Sequence, residues 1–200
     1  MHVALTDVLT CPRCGPGHGL ILLPEEVRER RVSSGFLGCA DCRARYPIRD
    51  GVAELVAAEA SPVADGEGAG GTRDAAVRLA ALLGLADADG VVLLAGPAAE
   101  HAGELAALVP GVEVVATLAE AMAGVSTARL GRSLPFQSGR LRGVALTGEA
   151  GSLLLEEGAR VVGGVSRLLL EPAPDDARAR LAAIGLRVVA EEGAAVVAGR

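Results

Sequence analysis

The 200 residues carry nineteen Arg, no Lys, twenty-five acids and a formal charge of −6, and half are apolar, mostly Ala, Val and Leu. The absence of lysine excludes Schiff-base and P-loop chemistry, and Phe36, Tyr46 and Phe136 as the only aromatics argue against a base-stacking surface. Residues 1–56 hold seven Arg and seven acids and residues 73–200 twelve Arg and fifteen acids, so charge gives no support for nucleic-acid binding.

Met1 to Thr10 lacks a basic segment followed by an apolar run, and no stretch reaches eighteen apolar residues free of charge. No signal peptide and no membrane span are expected, and a cytoplasmic location follows. In that compartment thiols stay reduced. Cys11-Pro-Arg-Cys14 and Cys39-Ala-Asp-Cys42 then read as metal ligands. Each C-x-x-C is a tight turn aiming two thiolates at one point, and two such turns supply the tetrahedral sulfur set that zinc prefers. Two disulfides or a redox dithiol are the alternatives. A redox pair would open a helix after a strand, whereas these two pairs share one form and flank a hairpin. Four protein ligands leave no open position, so the zinc is read as structural. His18, with four thiolates already available, reads as a loop histidine.

The 24-residue spacer has room for a strand over 19–23, a charged turn or helix over 25–31 and a returning strand over 32–37. Beyond Cys42, residues 46–48 are extended, Asp50-Gly51 is a hairpin turn and 52–56 is a closing strand. Pro47 is expected at a sheet edge. Asp7-Val-Leu-Thr-Cys-Pro-Arg-Cys14 and Arg43-Ala-Arg-Tyr-Pro-Ile-Arg-Asp-Gly-Val-Ala-Glu-Leu-Val56 together resemble the small zinc-ribbon family that includes the activator subunit of tRNA, rRNA and release-factor methyltransferases. The resemblance covers residues 5–56, and Ala53 departs from the family's usual Pro. It implies a module that docks on, or is fused to, a methyltransferase domain, using an exposed strand and apolar residues. A generic ribbon that stabilises only its own chain is the alternative.

Residues 57–72 are small, acidic and glycine-rich, and read as a flexible linker between a zinc ribbon at 1–56 and a second domain at 73–200. From Arg73 helices and strands alternate. Asp74 can cap a helix ended by Gly84. Strands follow at 91–95, 112–116, 141–147 and 165–170, with helices at 98–108, 118–123, 150–161 and 175–184. A hairpin of 186–190 with 194–198 closes the chain. The fold class is α/β: a small β-rich ribbon, then a Rossmann-like, doubly wound, mostly parallel sheet with a C-terminal antiparallel hairpin.

The landmarks over 73–200 are similar to those of class I S-adenosylmethionine-dependent methyltransferases. They are Val91-Val-Leu-Leu-Ala-Gly-Pro-Ala-Ala-Glu100, Leu134-Pro-Phe-Gln-Ser-Gly-Arg-Leu-Arg142, the break at Gly163-Gly164, Glu171-Pro172 and Gly185-Leu-Arg-Val-Val189. The resemblance implies a cofactor held by a Gly-x-Gly loop after the first strand and an acid at the end of the second. Here the loop has only Gly96, followed by Pro97, and Leu93 or Leu94 replaces the usual acid within the first strand. Thr117 stands where the carboxylate is expected, and it cannot hold a ribose diol in bidentate fashion. Arg142 replaces a further Asp. Glu100 and Glu120 read as solvated helix residues, and His101 as a surface residue. Gly96 and Thr117 are then the vestige of a cofactor site, no catalytic residue is assigned, and S-adenosylmethionine is not expected to bind.

These readings converge on a non-catalytic, zinc-binding protein-interaction module with a pseudo-methyltransferase domain. Its expected partner is a protein, a methyltransferase by the resemblance. An active methyltransferase of RNA, protein or a small molecule is the alternative, and a stand-alone structural or regulatory protein a third.

Overall fold

The structure is a computed structural model that describes residues 1–57, 61–63, 66 and 70–200. Two hairpins build the amino-terminal region. β1 (Thr10–Cys11) pairs with the start of β2 (Gly15–Arg28), which turns through Glu29 and Arg30 into β3 (Arg31–Cys39). Both turn residues have positive φ, 48° and 64°, the geometry that matches the twist of antiparallel strands. β4 (Arg45–Arg49) turns through Asp50-Gly51 into β5 (Val52–Leu55), as that dipeptide predicts.

Here one expectation holds in part and one fails. The charged stretch over 25–31 does turn, at Glu29 and Arg30, but residues 25–28 continue the strand and no helix forms. The Ser34 and Ser33 hydroxyls donate across the ladder to Glu25 and Glu26 at 2.6 and 2.8 Å, holding both acids extended. Pro47 lies on a strand flanked on both sides by β3 and β5. It stands opposite Phe36, one residue past the end of the β4–β5 ladder.

The remaining chain alternates. α1 (Arg73–Leu83) and β6 (Gly90–Ala95) come first, then a 3-10 turn at Pro97–His101 that opens α2 (Ala102–Leu108). β7 (Val112–Ala116), β8 (Ser126–Leu130) and β9 (Leu141–Thr147) precede α3 (Glu149–Leu153) and α4 (Leu155–Val161). β10 (Val162–Glu171), α5 (Ala177–Ala183), β11 (Arg187–Glu192) and β12 (Ala195–Gly199) follow. α1 is capped by Thr72, whose hydroxyl accepts from the Ala75 N–H, while Asp74 sits in the first turn. The helix expected over 118–123 does not form, and β8 appears without having been anticipated.

The strand order is β1-β2-β3-β4-β5-β8-β7-β6-β9-β10-β12-β11. Neighbours from β5 through β8 to β10 are parallel, and β12 runs antiparallel to both β10 and β11. The α/β class, the mostly parallel sheet and the terminal antiparallel hairpin are all present. From β6 the chain steps one way to β7 and β8, then back to β9 and β10. That reversal opens a crevice at the strands' carboxyl ends.

Side chains alternate across this sheet. Val92 and Leu94 of β6 pack with Leu79 and Leu83 of α1 and Leu105 of α2. Leu93 and Ala95 face Leu155 of α4 and Leu181 of α5, in a core that runs on into Leu9, Leu37 and Ile48 of the hairpins. One sheet thus crosses from residues 1–56 to residues 73–200 where β5 pairs with β8. Arg31 clamps Glu113 of β7 in bidentate fashion at 3.0 and 3.1 Å, and Ser126 of β8 donates to the same carboxylate at 2.6 Å. Leu9 bridges Phe136, which is fully buried. The linker expected over 57–72 lies partly outside the described residues. Of those described, Val63 is buried and its N–H donates to Leu130 O at 2.8 Å. Among the described residues, no helix is long and apolar enough to cross a membrane.

Candidate functional site

Cys11 ends β1 and Cys39 ends β3, while Cys14 and Cys42 stand in the turns that follow. The turn after β3 is tight: Arg43 N–H donates to Cys39 O and Cys39 N–H to Ala44 O, both at 3.0 Å. The four sulfurs lie within 4.8 Å of one another, with Cys11–Cys42 at 3.7 Å and Cys14–Cys39 at 3.8 Å. All four are free, and these separations are far beyond a disulfide bond. Thiolates about 2.3 Å from a tetrahedral metal would stand about 3.8 Å apart, so the donor set fits a metal ion. His18 does not join the group and pairs instead with Asp41 at 2.9 Å.

The sulfurs shift one another's ionisation. Burial raises the Cys11 thiol, but hydrogen bonds from Tyr46 and from the Cys14 and Arg13 backbone outweigh it and bring it down to about 7. The Cys42 thiol, with burial and the other sulfurs, pushes Cys14 up to about 12. One sulfur accepts a charge only while its neighbour keeps a proton. Four thiolates side by side need a bound cation.

The second expected site lies at the carboxyl ends of β6 and β7. Gly96 follows β6 at φ 78°, and a Cβ there would overlap the Thr147 carbonyl, so glycine is required. Its N–H donates to the Thr117 hydroxyl at 3.1 Å. Thr117 is fully buried at the end of β7, and its carbonyl accepts from the Gly66 N–H at 2.9 Å. A Cβ on Gly66 would come within 2.8 Å of Gly96 O, so this backbone lies directly on the loop. Thr147 accepts from Ala98 N–H at 2.8 Å and donates to Ala95 O at 3.0 Å. The structure therefore brings Gly96 and Thr117 together, joined to each other and covered by residue 66.

Beside this closed loop is a cavity of about 330 Å³ near Arg78, His101, Thr147 and Glu171. Arg78 is held by Glu171 in two bonds of 2.9 Å and by Glu192 at 3.0 Å. His101 is half-buried rather than a surface residue; it accepts from Thr72 N–H at 3.3 Å and lies 3.4 Å from Glu100. Glu120 is exposed. Arg142 lies away from the crevice, where it donates to Gly84 O at the end of α1. Leu134-Pro-Phe136 joins the two regions. Thr10 N–H donates to Pro135 O, and Arg160 holds Leu134 O and Phe136 O. Thr147, Gly66 and Tyr46 are site residues that the sequence reading did not assign.

No protein-family model matches the chain, and no curated protein matches it in sequence. The fold and the sulfur cluster define an α/β protein with a four-cysteine group whose geometry fits a metal ion. Among solved structures, the chain is similar to the SAH-bound crystal structure of CalO1, a methyltransferase in calicheamicin biosynthesis. The two share 15% identity and a TM-score of 0.42, over 63% of this chain and 54% of that one, so the chain spans about half its length.

Proposed function

We propose that this protein is a non-catalytic, zinc-binding interaction module whose methyltransferase-like domain serves as a scaffold. The carrying observation is the self-filled crevice: Gly96, Thr117 and Gly66 meet one another's hydrogen bonds where a nucleotide cofactor would need them. The zinc is structural, held by Cys11, Cys14, Cys39 and Cys42 with no open position for water. The partner is a protein, with a methyltransferase the first candidate, and the location is cytoplasmic. Ile21 and Leu23 stand exposed on β2, next to Phe36 on the same face, and supply the contact surface. Calorimetric titration of the zinc-loaded protein with S-adenosylmethionine and S-adenosylhomocysteine tests the reading. Silence at millimolar ligand is expected, and micromolar binding would overturn it.

The cavity near Arg78 and His101 favours the second reading, an active S-adenosylmethionine-dependent methyltransferase. On that reading the same titration gives binding, and Arg78→Ala weakens it.

A further inference from the structure

Tyr46 is the sole tyrosine of a chain that has no tryptophan. It lies on β4, 5% exposed, between the metal cluster and the core. Its Oη is 3.3 Å from Cys11 Sγ. Among the described residues it is the side-chain oxygen that reaches the sulfurs. Phenol and thiol can each donate in the metal-free protein. Metal binding removes that ambiguity, because a coordinated sulfur is a thiolate with no proton to give.

We infer that Tyr46 is a positioning residue for the metal centre, donating an O–H···S hydrogen bond that fixes Cys11 and tunes its thiolate. The inference rests on the metal reading of the four cysteines. Two features of the site make such a donor matter. A four-thiolate centre concentrates negative charge in a partly buried place, so each donated hydrogen bond stabilises the ionised set. The donors also fall unevenly. Cys11 receives Tyr46 and the Cys14 N–H at 3.4 Å, while Cys14 itself stands half-exposed in the turn. Cys11 is thus the anchored sulfur, held by two donors before the metal arrives.

The test uses the full chain and cobalt(II) as a spectroscopic stand-in for zinc. Wild-type protein is titrated first; one cobalt per chain with intense sulfur-to-metal charge-transfer bands secures the metal reading, and no cobalt uptake removes that reading and this inference together. Tyr46→Phe then deletes one oxygen. The expected result is metal affinity about 10–100-fold weaker, with charge-transfer bands moved to lower energy because an unbonded thiolate gives up electron density more readily. Global replacement of tyrosine by 3-fluorotyrosine alters this position alone and makes the hydroxyl a stronger donor. The bands should then move to higher energy, independent of whether the phenylalanine variant folds well. Opposite shifts in the two proteins establish the hydrogen bond. Bands that stay in place in both, with affinity within twofold of wild type, overturn the role of Tyr46 and leave the metal reading standing.

Discussion

The cysteine cluster and the crevice above β6 and β7 use similar groups to opposite ends. At the cluster four sulfurs meet: hydrogen bonds from Tyr46 and the neighbouring backbone bring the Cys11 thiol down to about 7, while the Cys42 thiol pushes Cys14 up to about 12. At the crevice three backbone donors among the described residues already have partners: Gly96 N–H on Thr117, Gly66 N–H on Thr117 O, Ala98 N–H on Thr147.

The contrast can be broken most forcefully at the four cysteines. On the zinc reading, chelation should remove a contribution on the order of 10 kcal/mol, and Cys39→Ser a part of it. Because β5 pairs with β8 in one sheet, calorimetry should show a single transition moved to lower temperature rather than loss of the hairpins alone. An unchanged melt of 73–200 would mean that the two regions are energetically separate. Gly96→Ala sharpens the other side: its Cβ meets the Thr147 carbonyl, and urea unfolding should show a loss of about 3 kcal/mol. Thr117→Val leaves the Gly96 N–H buried without an acceptor and should cost about 1–3 kcal/mol, with no gain of S-adenosylhomocysteine binding.

Glu157→Gln probes the joint between the regions. Burial raises this carboxyl, but Arg160 more than offsets it and holds it below the ordinary carboxylate range. Its contribution is present above the unfolded-state pKa and is lost as pH falls through the lower folded value. The variant should be about 1 kcal/mol less stable at neutral pH, and the two melting curves should converge in acid. The smallest effect on stability belongs to Ile21→Glu. This exposed change should move stability by less than about 0.5 kcal/mol yet abolish partner capture, which co-purification with and without the substitution would show.

The cysteine pairs were legible in the sequence because spacing alone brings two sulfurs to one turn. Strands such as 91–95 were legible because burial on both faces demands an unbroken apolar run. β8 was not, since Ser126 and Thr127 are buried through hydrogen bonds to Glu113 and Met122 that hydropathy does not register. Those same contacts undid the expected helix over 118–123, where Leu118 bridges Gly66 instead. Gly96 and Thr117 were visible as a pair, but the backbone that covers them comes from residue 66, a contact that local pattern cannot convey. Tyr46 was noted for its motif and not for its sulfur neighbour, which lies 35 residues earlier.

The junction of β5 with β8 also bears on how the chain is made. Val52 pairs with Thr127, about 75 residues later. At a synthesis rate of about 5–20 residues per second, β5 waits several seconds on the ribosome with its outer edge unpaired. During that interval the hairpins can gather a metal, but they cannot complete their sheet. The nascent amino-terminal region therefore passes through a stage with an open strand edge, when a chaperone or a ready partner could seal what the chain's own β8 will later cover.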